Sequence, residues 1–113
     1  MSEHRHALRK RASQTIEVTD TITTRVIGHV GNLSADGMLL ISQRALPANA
    51  LFQFSFNLPS AKGFDAQRIE IGVHEQWGEA ASVPGQFWTG FRIIDIGPDD
   101  QKRLTQWVNT SRD

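Results

Sequence analysis

Apolar and polar residues alternate with a period of two along most of this chain. The pattern is clearest at Phe52-x-Phe54-x-Phe56-x-Leu58, which predicts a strand with three phenylalanines on a buried face and Gln53, Ser55 and Asn57 on a wet one. Residues 15–19 alternate in the same way, residues 22–30 continue after a short turn at Asp20-Thr21, and residues 38–42 form a third apolar segment. Ile69-x-Ile71-x-Val73 repeats the alternation with Glu70, Gly72 and His74 outward, and residues 88–96 make a last strand. Loops are expected at residues 46–49, 59–63 and 80–85, where proline, glycine and small polar residues gather. Gly97-Pro98-Asp99-Asp100 then opens a helix over about residues 98–110, with proline in the first turn and acids where the macrodipole favours them. Leu104, Trp107 and Val108 fall at i, i+3 and i+4 and supply its apolar stripe. Short strands in series followed by one helix predict an all-β fold: a small antiparallel six-stranded barrel with a C-terminal helix.

Composition narrows the class. With 113 residues, 39% of them hydrophobic, the chain has material for one domain with a modest core. No apolar run approaches the roughly twenty residues a membrane span requires, so no membrane insertion is expected. The basic N-terminus lacks the apolar stretch of a secretory signal, which makes the cytoplasm the expected location. The absence of cysteine suits that compartment and removes disulfides, thiolate metal sites and cysteine nucleophiles.

Charge changes the picture more. Lys and Arg number 12 and Asp and Glu also 12, yet residues 1–11 carry Arg5, Arg9, Lys10 and Arg11 against the single acid Glu3. A basic arm on a neutral protein points to a small anionic partner more than to DNA or RNA. The expected organisation is thus a flexible arm over residues 1–11 and one domain over residues 12–113. A second concentration of polar groups lies at Asn32-Leu33-Ser34-Ala35-Asp36-Gly37, between two apolar segments. It reads as a turn, with Asn32, Ser34 and Asp36 bonding nearby backbone and Gly37 free to take positive φ. It also has the composition of an anion or base-edge site. Arginine suits both halves of a guanine nucleotide, being bidentate to phosphate oxygens and to the O6/N7 edge of guanine.

Arg5-x-x-x-Arg9 followed by Asn32-x-Ser34-x-x-Gly37 resembles the two-part signature of the PilZ domain, the bacterial receptor module for cyclic di-GMP. Residues 88–96 and the helix start at Pro98 are similar to the family's last barrel strand and its exit, so the likeness spans nearly the whole chain. The resemblance implies a ligand, cyclic di-GMP, and no further cofactor. It implies that Arg5 stacks on one guanine and bonds the Hoogsteen edge of another, that Arg9 pairs with phosphate, that Ser34 donates to phosphate and that Gly37 allows close approach. Asn32 stands where the family has Asp or Asn, and offers guanine one carbonyl acceptor where an aspartate would offer a charged pair. Lys10 and Arg11 add positive field, and Arg11 substitutes for either arginine if the register shifts. Asp36 belongs to the same loop. Trp77 is either a packing or rim aromatic or a platform on which a base stacks, whereas Trp88 and Trp107 are assigned to packing.

Other chemistry finds less support in the residues. His4 and His6 with His29 or His74 lack an acid at metal-ligand spacing. Ser34 has no nucleophile elbow, and Glu75 with Glu79 are paired carboxylates of the kind usually solvated, so no enzymatic activity is expected. The reading is a receptor that orders its arginine arm on the ligand and signals to an unidentified downstream protein, as a monomer or homodimer. The alternative is a PilZ-like adaptor, of pilus or motility type, that binds protein and no nucleotide.

Overall fold

The structure, a computed structural model, describes residues 9–59 and 67–110, without the side chain of Thr110. Among these residues are seven strands, β1 (Lys10–Arg11), β2 (Glu17–Asp20), β3 (Arg25–Leu33), β4 (Gly37–Ser42), β5 (Leu51–Leu58), β6 (Gln67–Ala80) and β7 (Phe87–Ile96), and one helix, α1 (Pro98–Thr110). Every pairing is antiparallel. The sheet runs β3-β2-β5-β6-β7-β4 and closes through β3–β4, with β1 added beside β3. The predicted six-stranded barrel and C-terminal helix are therefore present, with one strand more.

Closure follows from the alternation. Val18, Val30, Leu33, Met38, Leu40, Phe54, Phe56, Ile69, Ile71, Val73 and Phe91 all turn inward into one core. Phe54 meets Phe91 edge to face at 5.1 Å between centroids, a favoured aromatic geometry. The helix supplies Leu104, Trp107 and Val108 to the same core, as its apolar stripe predicts. Its start is held to β6 by the Asp100 carboxylate, which accepts from Glu70 N–H at 3.1 Å and from Arg103 Nη1 at 2.8 Å.

Four details depart from the sequence reading. Ser55, expected on a wet face, is 8% exposed, flanked in the sheet by Thr19 of β2 and Glu70 of β6. The turn is shorter than residues 32–37: Asn32 and Leu33 complete β3, β4 begins at Gly37, and Ser34 N–H bonds Gly37 C=O at 2.9 Å. Leu33 decides this, since its fully buried side chain pairs with Met38 and keeps the strand in register. Gly37 needs no positive φ. Left-handed backbone among the described residues falls at Thr24, Asn49 and Gly85. What Gly37 requires is room, for a Cβ there would stand 3.0 Å from Phe91 O and 3.2 Å from Arg9 Nη2. Lastly, Lys10 and Arg11 belong to the sheet rather than to an arm, paired with Leu33 and Asn32.

Candidate functional site

Two register shifts build the site. Val30 faces Leu40 but Asn32 faces Leu39, so Gly31 is the extra residue of a bulge in β3. Likewise Glu75 faces Phe91 but Trp77 faces Gly90, which leaves Gln76 as the extra residue in β6. A bulge re-aims the side chains beside it. Here Gln76 and Trp77, consecutive in the chain, both line one concave surface. Cross-strand partners continue that surface around the barrel, from Arg11 through Asn32, Leu39 and Gly90 to Trp77. The adjoining row holds Gly37, Arg92 and His74.

Apart from Arg11 and His74 at their ends, these rows line an open pocket of about 610 Å³, whose walls include Arg9, Asn32, Gly37, Gln76, Trp77 and Arg92. On one wall Arg9 Nη1 donates to Asn32 Oδ1 at 2.6 Å, joining residues 23 positions apart in the chain. Opposite stands Trp77, 47% exposed, with its indole lying flat against Gly90: a Cβ on that glycine would strike Nε1, Cε2 and Cδ1 of the ring. A side chain at position 90 would fill the space the indole occupies. Gln76 is tied back by its amide nitrogen, which donates to His74 Nδ1 at 3.1 Å. The proton of that imidazole then sits on Nε2 and is donated to Asn49 Oδ1 at 2.7 Å.

The remaining predicted residues fall in several places. Asp36 is exposed and lines the pocket. Ser34 is 1% exposed and is used inside the turn, its hydroxyl donating to Asp36 Oδ1 at 2.9 Å and accepting from Asp36 N–H at 3.3 Å. Lys10 faces away from the pocket, as alternation along β1 requires: its Nζ donates to the Trp107 carbonyl at 3.2 Å and lies 3.8 Å from the centroid of that ring. Arg11 is exposed, on the Asn32 side of β1. Arg5 lies outside the described residues, as do His4 and His6. Of the two tryptophans assigned to packing, Trp107 is in the core and Trp88 is partly exposed opposite Ile41 and Glu79.

Arg92, Gln76, Gly90 and Leu39 belong to the pocket without having been singled out from the sequence. The glycine left a trace there, since Gly90 interrupts the alternation of the last strand, where an isolated glycine marks a close approach. For Gln76 there was no signal, because a bulge is a property of the pairing and not of the strand.

No protein-family model and no curated protein matches this sequence. Solved structures do match in fold. The inhibitor of motility MotI/DgrA of Bacillus subtilis superposes with TM-score 0.77 at 15% identity, over 95% of this chain and 50% of that one. The PilZ domain of YcgR from Escherichia coli, solved with c-di-GMP, superposes with TM-score 0.58 at 13% identity, over 94% of this chain and 89% of that one. The chain thus has the PilZ-domain fold and spans half the length of the Bacillus protein. Among the described residues, no helix is long and apolar enough to cross a membrane, and no group of three His, Cys, Asp or Glu side chains is placed to hold a metal ion.

Proposed function

We propose that the pocket between β3, β4, β6 and β7 is a receptor site for cyclic di-GMP and that the protein acts as a ligand-gated adaptor rather than an enzyme. One observation carries the reading: Arg9 and Asn32, one from each half of the predicted signature, meet at 2.6 Å on the wall of a pocket whose facing wall is Trp77. The fold shared with a PilZ domain solved with c-di-GMP supports it. The lining offers what a guanine dinucleotide needs, namely a guanidinium for phosphate or the O6/N7 edge, an amide carbonyl for guanine N–H donors and an indole face for stacking. It pairs no nucleophile with a base, so binding is the chemistry it favours.

Binding proceeds by exchange of partners. The Asn32 carbonyl that reads guanine is held by Arg9, so the ligand takes that acceptor while the freed guanidinium turns to phosphate. Arg5 follows along the arm and clasps the second guanine, and the ordering entropy is offset by charge-assisted bonds. Ser34 serves by holding the turn that presents Asn32 and Gly37. A downstream protein then reads the repositioned arm. The competing adaptor reading, which needs no nucleotide, draws on the exposed apolar side chains of Ile22, Leu51 and Val83.

Isothermal titration with cyclic di-GMP separates the two. The native chain should bind, and Arg9→Ala should weaken binding at least about tenfold, the usual effect of deleting a charge-assisted hydrogen bond. Equal affinities would remove Arg9 from the mechanism, and absence of binding by the native chain would favour the adaptor.

A further inference from the structure

The pocket contains a second guanidinium that neither half of the signature includes. Arg92 is exposed on β7, lines the pocket, and its side chain has no hydrogen bond or ion pair among the described residues. Its cross-strand partner is Gly37, and over Gly37 lies the guanidinium of Arg9, whose Nη2 would stand 3.2 Å from a Cβ at that position. The two arginines therefore approach from either side of one glycine. Among the described residues, Arg9 is satisfied only by a neutral amide. The one lining carboxylate among the described residues, Asp36, accepts from Ser34 and forms no ion pair with either arginine. The remaining group facing Arg92 from the neighbouring strand is the His74 ring, itself bonded to Asn49 and Gln76. A concavity with two cationic forks and one carboxylate is short of negative charge, and the planar fork of arginine matches phosphate oxygens two at a time.

We infer that Arg92 is a ligand-binding residue of this site, contacting a phosphodiester of the bound dinucleotide from the β7 wall while Arg9 contacts the ligand from the β3 wall. The inference rests on the proposed cyclic di-GMP site and adds a residue that reads phosphate, not base. Gly37 is then explained twice over: it lets the arginine of the arm come down beside β4, and it leaves the face of the opposite residue open to the ligand.

The test is calorimetric titration of cyclic di-GMP into the full chain, at low and at physiological salt, for the native protein, Arg92→Gln, Arg92→Lys and Arg9→Ala. The Arg92 side chain makes no hydrogen bond or ion pair among the described residues, so melting of the Arg92 variants should match the native chain. Arg92→Gln should bind about tenfold or more weakly and lose part of its salt dependence. Arg92→Lys should keep the salt dependence yet recover only part of the affinity, since an ammonium lacks the bidentate geometry. Native-like affinity in Arg92→Gln, with Arg9→Ala impaired, would overturn the role of Arg92 and leave the site intact. Absence of binding by the native chain would overturn both.

Discussion

Substituting Gly90 with alanine tests the geometry of the pocket without any ligand. The new methyl would occupy the volume of the Trp77 indole, and the ring, being a side chain with solvent on its other face, would swing away from the sheet. Trp77 is 47% exposed, so a little over half of a large aromatic surface is covered. For a side chain that buries about 150–250 Å² when enclosed, that is roughly 100 Å², or about 2.5 kcal/mol at about 25 cal/mol per Å². Alanine in place of glycine within a strand returns about 0.5–1 kcal/mol. The net loss is then about 1–2 kcal/mol, a fall in Tm of about 4–8 °C for a domain of this size. The assay is thermal denaturation of four proteins: native, Gly90→Ala, Trp77→Ala and the double variant. In the Trp77→Ala background the glycine substitution should be neutral or mildly stabilising, so the two changes couple by at least about 1 kcal/mol. An equal loss in both backgrounds would refute the reasoning, because the methyl would then be colliding with something other than the indole.

Gly28→Ala should be harsher, since a Cβ there collides with the carbonyl oxygen of Ile41 in β4, and backbone cannot rotate out of the way. Destabilisation of at least about 1–3 kcal/mol is expected from urea unfolding, and an unchanged midpoint would show that β3 and β4 do not approach so closely. Lys10→Gln should loosen the end of α1 by about 1 kcal/mol, from loss of a cation at the helix C-terminus and over the Trp107 ring. Hydrogen exchange in the last turn of α1 would speed up accordingly. Unchanged exchange there would dissociate β1 from the helix.

The parts of the fold that could be read from residue order are those where one strand suffices to show its own pattern. Phe54, Phe56, Ile71 and Val73 turn inward as their alternation implies, and Pro98, Asp99 and Asp100 open the helix where propensity and dipole agree. What escaped depends on neighbours distant in sequence. Strand β1 is two residues long and exists because β3 continues beyond β2. Ser55 is buried between neighbours on β2 and β6 that the sequence of β5 does not announce. The site divides in the same way. Asn32 and Gly37 were conspicuous as a cluster of small polar residues, and Arg9 as charge, and the fold brings all three to one pocket with Trp77. Ser34 was conspicuous for the same reason yet is consumed by the turn. Arg92 looked like any outward strand residue until the register set it beside Gly37.

The account is tested most directly by following backbone and indole N–H resonances of the nitrogen-labelled chain as cyclic di-GMP is added. It predicts that the Trp77 Nε1–H signal and the amides of Asn32, Gly37, Gly90 and Arg92 move together and saturate at one ligand concentration, while those of Glu17, Arg25 and Arg44, which line a separate pocket toward the other ends of β3 and β4, stay in place. Shifts confined to Glu17, Arg25 and Arg44, or no saturable shifts at all, would contradict it.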